Sequence, residues 1–156
     1  MNERILEGEL WTAKKIENNF IVSIKDKSSI VQALTDFVLN QNIKSGQVTG
    51  IGAVSEATLR FFNFSTKKYT DKKFDEQMEV TNLSGNVSVT EDKPLLHLHI
   101  TLGREDYSAV AGHLKDAKIR GAGEFFFYPM AAVVYKTADE ETGINLYDFE
   151  KSLEKH

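Results

Sequence analysis

A chain of 156 residues has the length of one compact domain, and a domain of that size buries a core without needing a disulfide or a metal to fold. It contains no cysteine, which excludes disulfides, thiolate metal sites and a cysteine nucleophile. A net charge of -4 lacks the basic footprint that phosphate neutralisation requires, so tight nucleic-acid binding by the chain alone is not expected.

The opening residues, with Glu3, Glu7 and Glu9, do not follow the basic-then-apolar order of a signal peptide, and no apolar run is long enough to span a bilayer. A cytoplasmic protein with no membrane contact is the expectation. The residues Phe20-Ile21-Val22-Ser23-Ile24 read as a strand. Ser29-Ile30-Val31-Gln32 then has capping-box spacing, and Ile30, Ala33, Leu34, Phe37 and Val38 recur at helical spacing. Asn40-Gln41-Asn42 and Ser45-Gly46 end that helix.

Beyond it the pattern is mostly strand. Residues 48–51 form a short strand between Gly46 and Gly52, and residues 53–64 a second one with aromatic residues at its end. Lys67, Lys68, Lys72 and Lys73, with Asp71 among them, read as a solvated turn. Residues 77–83 alternate and stop at Ser84-Gly85-Asn86, a turn signal, with residues 87–90 as the hairpin partner. Glu91-Asp92-Lys93-Pro94 is a further turn, and residues 95–102 make the clearest strand. Residues 108–114 fit either a short helix or an ordered loop. Residues 121–128 and 131–135 give two more strands separated near Pro129, residues 139–143 a polar loop, and the final residues a frayed end. One helix followed by many strands predicts a single α+β domain over residues 1–156, with a mixed, largely antiparallel sheet flanked by helices.

The strand Leu95-Leu96-His97-Leu98-His99-Ile100-Thr101-Leu102 carries the chemical signal. Side chains alternate along a strand, so Leu96, Leu98, Ile100 and Leu102 face the core while His97, His99 and Thr101 share the other side. Two imidazoles at i and i+2 can converge on one ion. His113 follows in Ala111-Gly112-His113-Leu114, where the glycine permits a close backbone approach and a chain return brings the third imidazole alongside. Three neutral imidazoles suit zinc and leave a fourth position open. The bland alternative is a pair of surface histidines that bind nothing.

Other candidates are weaker. Glu124, after Gly121-Ala122-Gly123, suits a carboxylate that orients a histidine or acts as a general base, and equally a structural strand-edge residue. Glu79 reads as structural. Gly50-Ile51-Gly52 lacks the full phosphate-loop fingerprint and reads as a bulge. Neither Ser55 nor Ser84 sits in a nucleophile motif. Arg104 and Tyr107 read as solvated loop residues, and Phe61, Phe62 and Phe64 as core or subunit-interface residues.

Taken in order, Gly46-Gln47-Val48-Thr49-Gly50-Ile51-Gly52-Ala53-Val54, Glu79 to Asn86 with its Leu83-Ser84-Gly85, His97-Leu98-His99, Gly112-His113-Leu114 and Glu124 resemble the plant-and-prokaryote conserved (PPC) domain family. The resemblance covers residues of about 20–150. It implies an α+β fold, assembly as a homotrimer, and zinc on His97, His99 and His113. It resembles the stand-alone prokaryotic type: no AT-hook is present, and the plant Gly-Arg-Phe-Glu-Ile-Leu segment stands here as Glu76-Gln77-Met78-Glu79-Val80-Thr81. The expected function is a trimeric zinc-binding module with a DNA-associated or regulatory role, any DNA contact being weak or indirect. The alternative is a zinc-dependent hydrolase or lyase acting on a small molecule.

Overall fold

The computed structural model describes residues 3–154, the side chain of Glu154 excepted. The elements run β1 (Glu3–Glu7), β2 (Trp11–Ile16), β3 (Asn19–Ile24), α1 (Ile30–Asn40), β4 (Gly46–Asn63), β5 (Lys68–Phe74), β6 (Met78–Thr90), β7 (Lys93–Gly103), β8 (Ala109–Pro129), β9 (Tyr135–Ala138), β10 (Asn145–Asp148) and α2 (Phe149–Glu154). The expected fraying of the last residues concerns Lys155 and His156, which lie outside the described residues. No helix among the described residues is long and apolar enough to cross a membrane.

One mixed sheet dominates, ordered β1-β2-β3-β8-β4-β6-β9-β10, with β5 paired to β4 and β7 paired to both β6 and β8. Every pairing is antiparallel except β6 with β9, a single parallel register at Val89 and Tyr135. Because β4 pairs β6 and β8, and β7 joins β6 to β8, these four strands close into a cycle. The sheet is thus mixed and largely antiparallel as expected. Flanking by helices is slight: α1 covers one face and α2 is a short terminal turn.

The apolar stripe of α1 buries Ile30, Ala33, Leu34, Phe37 and Val38. Phe37 meets Trp11 edge-on at 5.0 Å, Phe20 at 5.2 Å and Phe127 at 5.1 Å, which fastens the helix to β2, β3 and β8. Ser29 caps the helix by accepting the Gln32 N–H at 3.0 Å. Asp116 of β8 adds to the cap, accepting from the Ser29 hydroxyl at 2.8 Å and the Val31 N–H at 3.3 Å. At the other end Asn42 adopts φ 52, and the Ile43 N–H reaches the Val38 carbonyl at 3.0 Å. That is a Schellman ending with asparagine in the left-handed position.

Several sequence expectations are corrected. Residues 84–86 do not turn: β6 runs straight through them. A Cβ at Gly85 would overlap the His97 carbonyl oxygen, so this glycine serves a close approach between β6 and β7. Of residues 108–114, Ser108 closes the preceding loop and residues 109–114 are the start of β8. Residues 48–51 and 53–64 join in β4, whose register shifts between Gly50 and Gly52, the bulge expected there. Of the lysine cluster, Lys67 lies in a turn, whereas Lys68, Lys72 and Lys73 belong to an edge strand, β5, with Lys73 paired to Glu56 at 3.0 Å. β1 and β2, too polar to stand out locally, form a hairpin on the edge of β3.

Candidate metal centre

Alternation along β7 buries Leu98, Ile100 and Leu102 and turns His97 and His99 the other way. The chain then reverses through residues 104–108. There the Arg104 N–H donates to the Ser108 carbonyl at 2.8 Å, and Asp106 accepts from the Ser108 N–H at 2.9 Å. Tyr107 takes φ 64 and is 97% exposed, and Arg104 pairs with Glu76 at 2.7 Å; both are loop residues as expected. This tight return sets the register of β8 against β7 so that His113 stands directly opposite His99.

The three rings therefore cluster. Centroids lie 5.0 Å apart for His97 and His99, 5.1 Å for His97 and His113, and 5.5 Å for His99 and His113. One ring nitrogen from each lies within 4.8 Å of the others. The Nε2 atoms of His97 and His99 are 3.2 Å apart. Two nitrogens bound tetrahedrally at about 2.0–2.1 Å stand about 3.3 Å apart, so this pair already has the separation of two ligands on one ion.

Electrostatics favour the neutral, ligand-competent form of His97 and His113. Burial, then the neighbouring His97 and His99 and the Arg60 charge, push the His113 pKa down to about 4, with Asp71 opposing. His97 is lowered by burial, then by Lys136 and His99. The donor set of three imidazoles without a thiolate or carboxylate suits zinc and also accommodates nickel, cobalt or copper.

The row continues across the sheet. Asp71 of β5, Arg60 of β4, His113 of β8, His99 of β7 and Ser84 of β6 are successive cross-strand partners. Arg60 donates through Nε and one terminal nitrogen to the two carboxylate oxygens of Asp71 at 3.0 and 3.1 Å, and Lys115 joins at 2.7 Å. Hydrogen bonds from Arg60 and then Lys115 hold the Asp71 carboxyl down to about 2. The Arg60 guanidinium also covers the Tyr69 ring at 4.5 Å, and Tyr69 lies 5.9 Å from His113.

The histidines open into a cavity of about 540 Å³ whose walls include Phe61, Phe62, Phe64, Tyr69, Leu96 and Lys136. Phe61 and Phe64 are 71% and 62% exposed, so they are not core residues: they belong to the cavity rim. Gly112 needs no special backbone freedom. It pairs with Ile100 in the strand, and a Cβ there would meet neighbours at 3.7 Å or more.

Glu124 is not brought to the histidines. It stands exposed on β8 opposite Ser23 and Ile51, well along the strand from His113, and it does not line the histidine cavity. It shares a shallow second depression with Glu79, Thr81 and Ile51. The residues that sequence reading missed are Arg60, Tyr69, Asp71 and Lys136. The first three are visible only once β4, β5 and β8 are in register, and Lys136 arrives from a short strand with no motif around it.

The Plants and Prokaryotes Conserved (PCC) domain matches residues 12–130. The chain belongs to that family. Among solved structures, a candidate DNA-binding protein from Bacteroides thetaiotaomicron is 50% identical, with a TM-score of 0.90 over 91% of this chain and 99% of that one. A metal-containing protein from Archaeoglobus fulgidus is 29% identical, with a TM-score of 0.80 over 86% and 95%. A plant- and prokaryote-conserved protein from Pyrococcus horikoshii, 19% identical with a TM-score of 0.78 over 92% and 97%, shares the fold. No curated protein matches the chain.

Proposed function

We propose that this PCC-domain chain is a metal-binding module that holds one divalent transition metal, zinc foremost, on His97, His99 and His113. The observation that carries the reading is the convergence of three imidazole nitrogens within 4.8 Å of one another, two of them at ligand spacing. The metal-containing relative from Archaeoglobus fulgidus supports it. A metal bound there supplies Lewis acidity at a position facing the cavity. The chain's own part is to keep His97 and His113 neutral, to orient the three imidazoles by the β7–β8 register and to wall the position with aromatic side chains.

Assembly as a homotrimer fits an apolar outer face on the sheet. Ile21, Phe126, Ile51 and Tyr128 are exposed on β3, β8 and β4, with Ile21 directly opposite Phe126. Association with DNA is supported by the candidate DNA-binding relative, but the acidic chain leads us to expect weak, salt-dependent contact in a regulatory setting. The cavity over the histidines favours a second reading, a small-molecule hydrolase or lyase using the same three residues.

Elemental analysis of untagged protein after zinc loading and dialysis tests the metal reading. About one zinc per chain, lost in both His97→Ala and His113→Ala, is the expected result. Zinc retained equally by both variants refutes it.

A further inference from the structure

Lys136 is an unusual neighbour for a cluster of imidazoles. It sits on β9, is only 7% exposed, and lines the same cavity as the three histidines. Its ammonium lies 3.5 Å from the Asn86 side-chain oxygen and 4.7 Å from the centre of the Tyr147 ring. Asn86 is the cross-strand partner of His97, so the lysine reaches the histidine face of the sheet. Its charge is felt at His97.

Among the described residues, no carboxylate forms an ion pair with Lys136. The other cation on this cavity is different: Arg60 is held by both oxygens of Asp71. A buried ammonium lacking an anionic partner is costly, and a long bond to an amide oxygen with one ring face does not offset that cost. An anion entering the cavity would. Phe61, Phe62, Phe64 and Leu96 offer the rest of such a molecule an apolar wall.

We propose that the cavity binds a small carboxylic acid with an apolar or aromatic body, its carboxylate held between Lys136 and the ion on the three histidines. The inference rests on the metal reading for one half of the carboxylate grip and on Lys136 for the other. The apolar wall and the single unpaired cation favour a carboxylate over a phosphate ester, which recruits several donors at once.

The test is calorimetric titration of 3-phenylpropanoate and its neutral amide, 3-phenylpropanamide, into zinc-loaded protein of measured metal content. The acid is expected to bind about tenfold or more tightly than the amide. Lys136→Met is expected to keep about one zinc per chain and lose that preference. Equal binding of acid and amide to wild type overturns the inference, even where Lys136→Met fails to fold. An undiminished preference in a folded Lys136→Met protein also overturns it, as does tighter binding of phenyl phosphate than of the acid. Should wild type take up no zinc, the metal reading fails by itself. The same titration of metal-free protein then decides whether a Lys136-dependent preference for the acid exists.

Discussion

His99 and His113 face each other as direct cross-strand partners on β7 and β8, with ring centroids 5.5 Å apart. That opposition is set by the reversal through residues 104–108, so the site depends on the hairpin register. A slip of one residue would send His113 to the core side and dissolve the triad.

Metal-free protein is expected to lose stability on acidification. In the unfolded chain His113 takes up its proton near the ordinary value of 6.5, whereas in the folded chain it does so only near about 4. The unfolded state therefore binds more protons between these values, and stability falls as pH drops through that window. Its contribution is complete above 6.5 and gone below about 4. The downward shift of His97 acts in the same direction, while Asp71, titrating near about 2, stays ionised throughout. Thermal denaturation in chelator should give a lower Tm at pH 5 than at pH 7, and a smaller difference in His113→Leu. An unchanged or higher Tm at pH 5 would count against a half-buried His113 that resists protonation.

Two glycines near the site should respond unequally to alanine. A methyl at Gly85 runs into the His97 carbonyl oxygen, so Gly85→Ala should cost about 1–3 kcal/mol. A methyl at Gly112 finds ordinary contacts, so Gly112→Ala should change stability by about 0.5 kcal/mol or less. Urea unfolding of both variants measures the contrast.

Much of this was readable in the residues. The alternation from Leu96 to Leu102 separated a core face from a histidine face, and Ser29 with the stripe through Phe37 marked the helix. Strand continuity was not readable. Ser84-Gly85-Asn86 has turn composition, yet its glycine answers a close approach of β7 that only the folded sheet reveals. β5 carries little apolar alternation and is held by pairing with β4 and by the Arg60–Asp71 and Glu56–Lys73 ion pairs. Lys136 was hidden because its meeting with Asn86 spans strands far apart in the chain.

The helix cap offers an independent check on long-range packing. Asp116 accepts from Ser29 and from the Val31 N–H across a wide stretch of sequence. Asp116→Ala should cost about 1–2 kcal/mol, as loss of a cap residue does, without reducing zinc content. Denaturant midpoints and elemental analysis on the same samples would separate the two effects.

Glu124 should be dispensable for metal binding within one chain. Since it stands far along β8 from His113, Glu124→Gln is expected to leave zinc affinity within about twofold of wild type. A tenfold loss in competition titration would require Glu124 from a second copy to reach the site.

X-ray absorption of the zinc-loaded protein examines the histidine centre most directly. The account predicts a first shell of light atoms at about 2.0–2.1 Å, with the multiple-scattering pattern of three imidazoles. A shell of oxygens alone, or a single imidazole, would contradict it.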